Sequence, residues 1–347
     1  MRYDSDYWDD VDRVLKNVPE IEKLNGQSVF LTGATGMIGS AVAELLLRIK
    51  KRAVNCDLYF GGRDRERTIS RFAAFEEGKD YHYVPYILEH PNVDLTGLDY
   101  IIHTAGLANP GVYLSKPVET MLGNLLGLNG LLDAARRMEP KMFLYLSSSE
   151  VYGNRAKGEN QNPYTEEDYG YLDVLNERAC YPSSKRAAET LGVSYSKEYG
   201  VPFVSVRPGH IYGPSITTSD NRATAQFTRC AATGQDILMK SAGLQLRSYC
   251  YTLDCASAIL TVLLNGKSGE AYNISNKDSV VSIRQIAEAF ADETGGKVVF
   301  ESASDEEIRS YNLMSNSSLN AKKIEDLGWK ACFGLAEGVK RTLRYYE

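Results

Sequence analysis

Short apolar runs alternate with helical segments along most of the chain, starting at Ser28. Near-continuous apolar runs of this length are typical of strands that are buried on both faces. They predict strands at SVFLTG, DLYFGG, LDYIIHTAG, MFLYLSSS and FVSVRPG. Helical periodicity falls between them, at AVAELLLRI, from Pro117 to Arg137, and from CYPSSK onward. The alternation predicts an α/β protein with a Rossmann-type doubly wound parallel sheet.

The pattern differs at both ends of the chain. Residues 1–27 form a polar extension, which predicts an amphipathic helix with Val11, Val14, Leu15 and Val18 on one side. Beyond Tyr212 the sequence is richer in Gly, Ser and Asn, and later helices are predicted at SIRQIAEAFADETG and LAEGVKRTLRYY.

A glycine-rich loop, TGATGMIGS, follows the first predicted strand and precedes a helix. Its G-x-x-G-x-x-G spacing allows a tight turn, a close approach to a pyrophosphate, and close packing of the helix on the strand. The helix N-terminus offers N–H groups and a positive dipole to the phosphates. The loop therefore predicts dinucleotide binding through the residues Gly33, Thr35, Gly36, Met37, Ile38 and Gly39.

The end of the second strand, DLYFGGRDRERT, bears on the choice of cofactor. NAD-binding proteins of this architecture usually carry an acidic residue here for the adenosine ribose, whereas this chain first presents Arg63. With Arg65 or Arg67, Arg63 would hold the 2′-phosphate of NADP, so NADP is favoured over NAD. Alternatively, the segment is a solvated basic turn in which Asp64 reaches the ribose.

CYPSSK places Tyr181 four residues before Lys185, on one face of a helix. A lysine charge about 5 Å away is worth roughly 3 kcal/mol at an effective dielectric constant of about 20. This interaction predicts a tyrosine pKa near ~8, which suits proton transfer at cellular pH. The alternative is a chance spacing in an ordinary helix.

FLYLSSSEVYG places Ser148, Ser149 and Glu150 where a strand ends, at the sheet edge where open α/β proteins bind ligands. We expect a serine hydroxyl to bond a substrate hydroxyl near Tyr181, and Glu150 to serve as a second acid or base. Serines at this position are also common turn formers.

Composition narrows the function classes. The 347-residue chain is 43% hydrophobic and 24% charged with a net charge of −6, which argues against nucleic acid as a partner. Six scattered cysteines and four histidines (His82, His90, His103 and His210) predict neither zinc binding nor a disulfide scaffold. An acidic N-terminal segment and the absence of long apolar runs favour a cytoplasmic protein with no membrane partner.

Together these stretches resemble the extended short-chain dehydrogenase/reductases, the NAD-dependent epimerase/dehydratase family. The resemblance rests on TGATGMIG, LDYIIHTAG, SSSEVYG, YPSSK, RPGHIYGP, RSYCYTLD, YNISN and IEDLGWK. Within the family the chain is most similar to UDP-glucuronate decarboxylases, through ANPGVYLSKPVETMLGN, SEVYG and ERACYPSSKRAAET.

The resemblance implies roles for individual residues. The catalytic set would be Tyr181, Lys185, Ser148, Ser149 and Glu150. Further cofactor contacts would come from Ala105, Gly106, Tyr181, Lys185 and His210. Substrate contacts would come from Tyr113, Ser149, Glu150, His210 and Arg247, with Arg247 facing the diphosphate.

Two departures from the family pattern affect the choice of substrate. His210 stands where the family commonly has an asparagine near the diphosphate, and the second strand lacks the acidic residue that decarboxylases usually carry. His210 would either donate to a phosphate or be a histidine in a core turn. Ser149-Glu150 replaces the Asp-Glu of dTDP-glucose dehydratases, although GDP-mannose dehydratases also use Ser-Glu and bind NADP.

The resemblance also implies a domain division and a homodimer. The Rossmann domain would comprise residues 28–207 and 249–264, and a smaller substrate-binding α/β domain residues 208–248 and 265–347. Helices beginning near Pro117 and Tyr181 would form a four-helix contact between two copies. Their apolar residues would equally suit an ordinary core: Met121, Leu125, Leu128, Leu131 and Leu132.

The favoured reaction is oxidation of a nucleotide sugar at C4, loss of carbon dioxide and re-reduction. One alternative is net NADPH-dependent reduction of a keto sugar, a sugar phosphate or a nucleotide-linked precursor. Others are a 4,6-dehydratase or an epimerase, and a non-catalytic protein that senses its cofactor.

Overall fold

A computed structural model describes residues 3–52, 54–89, 91, 93, 96–155, 162–217, 220–303 and 314–346. The strands are β1 (Gln27–Thr32), β2 (Cys56–Gly62), β3 (His82–Pro85), β4 (Tyr100–His103), β5 (Met142–Leu146), β6 (Phe203–Pro208), β7 (His210–Tyr212), β8 (Ile237–Met239), β9 (Leu246–Tyr251), β10 (Ala271–Ile274), β11 (Val280–Ser282), β12 (Val298–Phe300) and β13 (Asn316–Ser317).

The α-helices are α1 (Ser5–Leu15), α2 (Met37–Lys51), α3 (Arg65–Arg71), α4 (Pro110–Ser115), α5 (Pro117–Ala135), α6 (Cys180–Tyr199), α7 (Ala223–Ala232), α8 (Thr252–Asn265), α9 (Ile283–Thr294), α10 (Lys322–Glu325) and α11 (Leu335–Tyr345). Among the residues that the structure describes, short 3₁₀ helices lie at Ile21–Leu24, Ser149–Tyr152, Glu177–Ala179 and Lys277–Ser279.

The large sheet has seven strands in the order β10-β6-β5-β4-β1-β2-β3, and every neighbouring pair is parallel. Its central strands are buried on both faces, which explains their near-continuous apolar sequences. The Rossmann-type α/β fold predicted from the sequence is confirmed, and so are the predicted helices that became α2, α5, α6, α9 and α11.

Smaller sheets lie beyond β6 in the chain. β9 pairs with β7, β11 and β13, and β8 pairs with β12. Two strands bear on the predicted domain boundaries, and the division into two domains stays a prediction. β10, assigned by sequence to the substrate domain, is a strand of the large sheet, and β9 crosses the boundary drawn at residue 249.

The N-terminal extension contains the predicted amphipathic helix, α1. Val11 and Val14 are fully buried, whereas Leu15 is only partly buried. Asp12 of α1 pairs with Arg48 of α2 at 2.6 Å. Asp10 of α1 pairs with Arg341 of α11 at 2.7 Å. The extension therefore joins the helix that follows the glycine loop to the last helix of the chain.

All six cysteines are free thiols. Among the described residues, no helix is long and apolar enough to cross a membrane. The cytoplasmic location stays a prediction.

Candidate active site

A cavity of about 600 Å³ lies where residues after β5, β6 and β7 meet the start of α6. This is the carboxyl edge of the large sheet, where open α/β proteins bind ligands. The residues predicted from sequence that line it are Ile38, Gly106, Tyr113, Ser148, Ser149, Glu150, Tyr181, Lys185, His210 and Arg247. The structure thus brings together the predicted catalytic and substrate-binding residues.

The glycine loop has the close packing that its sequence predicts. Gly33 has φ +72°, a conformation that favours glycine. A Cβ on Gly39 would lie 2.1 Å from the Gly33 carbonyl oxygen, and a Cβ on Gly33 would lie 2.8 Å from the Ala105 nitrogen. α2 begins at Met37 with Gly36 as its N-cap, and no side chain occupies the cap. Backbone N–H groups at this terminus are therefore oriented as a dinucleotide phosphate requires.

The other predicted cofactor residues surround this loop. Thr35 lies between β1 and α2, and Gly106 packs beside Lys185, whose Nζ would lie 3.6 Å from a Cβ at residue 106. A Cβ at residue 106 would also lie 3.0 Å from the Asn124 Oδ1 atom, so this position leaves little room for a side chain. The residues present therefore fit a nicotinamide dinucleotide.

The segment that was predicted to select NADP is exposed. Arg63 and Asp64 lie between β2 and α3, and the Asp64 side chain accepts a hydrogen bond from the Arg67 backbone at 2.9 Å. Arg65 pairs with Glu77. Arg65, one of the two arginines proposed to assist Arg63, is thus paired with Glu77. Asp64 is the N-cap of α3.

Tyr181 occupies the first turn of α6 and is only 7% exposed. Its ring stacks on that of Tyr113, with centroids 5.2 Å apart and an interplanar angle of 17°. The Ser148 side chain, which follows β5, lines the same cavity and would stabilise the Tyr181 phenolate by hydrogen bonding. The predicted tyrosine and serine therefore meet although they are distant in the chain.

Burial raises the pKa of Tyr181 to about 12, and the charge of Glu150 adds to this effect. The hydrogen bond with Ser148 and the charges of Arg222 and Arg178 oppose it. The prediction that the charge of Lys185 brings the Tyr181 pKa to near ~8 is therefore wrong for the polypeptide by itself. A nearby positive charge alone does not determine the Tyr181 pKa, because placing a phenolate in a buried site costs free energy.

Lys185 lies one helical turn after Tyr181, as predicted. Its Nζ donates a hydrogen bond to the Leu146 carbonyl at 2.7 Å and lies 5.9 Å from the centroid of the Tyr181 ring. Burial lowers the pKa of Lys185 to about 7. Lys185 is thus held at the cavity wall by the end of β5, and its charge is sensitive to pH near neutrality.

Glu150 is bound by a residue that sequence reasoning missed. The Arg178 guanidinium donates two hydrogen bonds to its carboxylate, each 3.1 Å long. The two side chains are 17% and 18% exposed. Glu150 therefore lies in the site as the acidic partner of an ion pair, which limits its freedom to act as an independent acid or base.

His210 and Arg247 lie near each other on paired strands, β7 and β9. The Nδ1 atom of His210 is buried without a hydrogen-bond partner among the described residues. Burial lowers the pKa of His210 to about 3, with further effects from Arg247 and Arg222. The Arg247 Nη1 atom donates to the carbonyls of Leu246 and Met314, each at 2.8 Å. His210 is therefore a neutral ring that lines the cavity, with its Nδ1 atom buried in the protein.

Two further functional residues were missed by sequence reasoning. Arg222 lines the cavity and its Nε donates to Asp220 at 2.9 Å. Asn124 of α5 accepts from the Leu107 backbone at 3.2 Å and donates to Ser184 at 3.0 Å, beside Lys185. Arg178 could have been found from its place three residues before Tyr181, whereas Arg222 and Asn124 reach the site through long-range packing that no local pattern reveals.

The cavity carries a strong excess of positive charge. Its lining includes one carboxylate, Glu150, and five lysine or arginine side chains: Arg178, Lys185, Arg222, Lys240 and Arg247. Such a lining favours an anionic ligand. In the part of the chain that the structure describes, no three His, Cys, Asp or Glu residues group to hold a metal ion. His90 lies outside the described residues.

The chain is similar to known proteins in sequence and in fold. The profile of a family described as "NAD dependent epimerase/dehydratase family" matches residues 29–275. UDP-glucuronic acid decarboxylase 1 of Xenopus tropicalis is 27% identical over 325 residues, which cover 92% of this chain and 72% of that protein.

Solved structures share the fold. The dTDP-glucose 4,6-dehydratase DesIV from Streptomyces venezuelae, with NAD and TYD bound, has a TM-score of 0.78 at 22% identity and covers 92% of this chain and 96% of its own. UDP-glucuronic acid 4-epimerase from Bacillus cereus, in complex with UDP-glucuronic acid and NAD, has a TM-score of 0.77 at 19% identity, with 92% and 98% covered. The family description and both structures name NAD, and none of them supports a preference for NADP.

Proposed function

Since this chain belongs to the NAD-dependent epimerase/dehydratase family, and is thus an NAD-dependent enzyme of the extended short-chain dehydrogenase/reductase type, we propose that it decarboxylates UDP-glucuronate. The observation that carries the proposal is the cavity that joins Ser148, Tyr181 and Lys185 to three arginines. The similarity to a UDP-glucuronic acid decarboxylase along 92% of the chain supports this choice of substrate. Family membership argues against the non-catalytic alternative.

In this mechanism Tyr181, as the phenolate, takes a proton from the sugar C4 hydroxyl, and Ser148, which lines the same cavity, would orient that hydroxyl by a hydrogen bond. When bound, the oxidised nicotinamide supplies a hydride acceptor that is restored within the cycle and a positive charge that favours the phenolate. Lys185, fixed by Leu146, lies where it would position the cofactor ribose beside Tyr181.

Oxidation at C4 turns the substrate into a β-keto acid. The bond between C5 and the carboxylate carbon breaks, its electron pair moves into the C4 carbonyl, and carbon dioxide leaves. The hydroxyls of Ser148 and Tyr181 would stabilise the resulting enolate by hydrogen bonds. C5 then gains a proton from solvent, C4 is reduced again, and Tyr181 returns its proton to the new hydroxyl. The product is a UDP-pentose and no net redox change occurs.

The test is incubation of the purified protein with UDP-glucuronate, other nucleotide sugars and keto-sugar phosphates, followed by mass spectrometry. We expect UDP-glucuronate to lose the mass of carbon dioxide, without stoichiometric consumption of a reduced nicotinamide. Loss of water would indicate a dehydratase, and an altered stereochemistry at constant mass would indicate an epimerase. Gain of two hydrogens only with NADPH would indicate a net reductase. Each of these three results, without decarboxylation, would contradict the proposal.

The same incubations address the choice of cofactor. Exposed Arg63 favours NADP, whereas the family description favours NAD. Supplying the cofactor-depleted protein with NAD or NADP separates the two. Full activity restored by NADP alone would support the assignment to Arg63, and full activity with NAD alone would overturn it.

We also propose that two copies of the chain associate through α5 and α6. Leu128, Leu131 and Leu132 are fully buried and belong to the core, so they are unavailable to a partner. Leu125 is partly buried. An exposed apolar stripe remains on α5, formed by Val118, Met121, Leu122 and Leu126 with 63%, 37%, 48% and 46% of their surface exposed. A stripe of this kind at helical spacing suits a helix-to-helix contact between copies.

Light scattering tests the dimer. The wild type is expected at twice the 38.5 kDa chain mass, and Leu122→Glu is expected at the mass of one chain because it buries a charge in the contact. Val299→Glu, which adds the same charge at an exposed position of β12, is the matched control and should leave the mass unchanged. A wild-type protein at the mass of one chain would contradict the proposal.

A further inference from the structure

Arg178 stands immediately before the catalytic helix, on the 3₁₀ helix Glu177–Ala179 that runs directly into α6. The Asn176 side chain accepts a hydrogen bond from the Arg178 backbone at 2.9 Å and caps this turn. The backbone of Arg178 is therefore fixed relative to Tyr181, three residues later.

The Arg178 side chain joins the two segments that carry the reacting hydroxyls. Its bidentate pair with Glu150 connects the start of α6 to the 3₁₀ helix Ser149–Tyr152, whose N-cap is Ser148. A planar guanidinium that binds both oxygens of a carboxylate fixes orientation as well as distance. Any shift between the segments of Tyr181 and Ser148 would have to break this pair.

Arg178 also contacts the ring on which Tyr181 stacks. Its guanidinium carbon lies 5.8 Å from the centroid of the Tyr113 ring. The Cys180 thiol, next to Tyr181, reaches the Tyr113 carbonyl at 3.4 Å. Cation–π and stacking contacts thus run from Arg178 through Tyr113 to Tyr181.

We propose that Arg178 is a positioning residue for Tyr181: it neutralises Glu150 and holds Tyr113 and the Ser148 segment in register with the tyrosine hydroxyl. The proposal rests on the proposed function, in which Tyr181 carries the proton. The electrostatics agree with this geometry, since Glu150 raises the pKa of Tyr181 and Arg178 lowers it. Loss of Arg178 would leave the opposing carboxylate unbalanced beside the tyrosine.

The test compares the pH dependence of kcat for four proteins: wild type, Arg178→Gln, Arg178→Lys and the double variant Arg178→Gln/Glu150→Gln. For Arg178→Gln we expect kcat to fall roughly 10- to 100-fold and the limb that rises with pH to move upward by about one pH unit, with KM for UDP-glucuronate changed less than about threefold. Arg178→Lys keeps the charge and should shift the limb less. The double variant should return the limb toward the wild-type position, because neither charge remains.

Arg284→Gln is the matched control, since it breaks an exposed arginine–glutamate pair with Glu288 on α9 and should change neither kcat nor the pH profile. A lower melting temperature of Arg178→Gln with an unmoved pH profile would show a merely structural role and overturn the inference. A limb that the double variant fails to restore would also overturn it. An active Tyr181→Phe variant would instead refute the proposed function, so the two failures are distinguishable.

Discussion

Tyr181→Phe is expected to lower kcat roughly 10³-fold, because it removes the hydroxyl that transfers the proton and leaves the ring in place. The ring makes the stacking contact with Tyr113, and phenylalanine keeps that contact. We therefore expect the melting temperature and the dissociation constant for the nicotinamide cofactor to change little. Single-turnover kinetics with UDP-glucuronate, together with calorimetric titration of the cofactor, would measure the two effects separately.

Tyr195→Phe is the control for this variant. Tyr195 lies on the same helix, and its hydroxyl donates to Asn129 at 3.0 Å, away from the cavity lining. Its loss should leave kcat within about threefold of the wild type. Near-wild-type turnover by Tyr181→Phe would mean that another group carries the proton, and the mechanism would be wrong.

The second large effect is expected for Gly39→Ala. The new Cβ would lie 2.1 Å from the Gly33 carbonyl oxygen and 2.8 Å from Thr104 Oγ1, so α2 and the glycine loop must move apart. Overpacking of this kind costs about 1–3 kcal/mol of folding free energy. Because the same loop is expected to bind the pyrophosphate, we predict that cofactor affinity falls by at least roughly 100-fold.

Gly334→Ala gives the matched comparison. Gly334 also lies at the start of a helix, as the N-cap of α11, but a Cβ there would meet no atom within 4 Å. Thermal unfolding and cofactor titration should match the wild type for this variant. Wild-type cofactor affinity in Gly39→Ala would show that the dinucleotide does not depend on the close packing of this loop.

Local sequence patterns were sufficient to predict the strands, the glycine loop and the helix that surround the site. The apolar runs of β1 and β5, the glycines before α2 and the four-residue spacing of Tyr181 and Lys185 each reflect constraints within one element. Such constraints are visible in a single stretch of chain. The structure confirmed the sheet and placed the predicted catalytic residues around one cavity.

Long-range packing accounts for what sequence reasoning missed. Asn124 meets Ser184 across 60 positions in the chain. The pairing of Arg178 with Glu150 spans 28 positions, although the place of Arg178 three residues before Tyr181 was a local signal. The pKa of Tyr181 was misjudged for the same reason, since burial depends on residues from several elements. The strand β10 was not assigned to the large sheet, because the sequence of one strand does not reveal which sheet it joins.

In the proposed mechanism, hydride leaves the sugar C4 and returns to it while Tyr181 carries the proton. The most direct measurement uses UDP-glucuronate with deuterium at C4, incubated with the wild-type protein in ordinary water, followed by mass spectrometry of the product. We predict a UDP-pentose that has lost carbon dioxide and kept the deuterium at C4. A decarboxylated product without that deuterium, or a substrate that remains unchanged, would contradict the account.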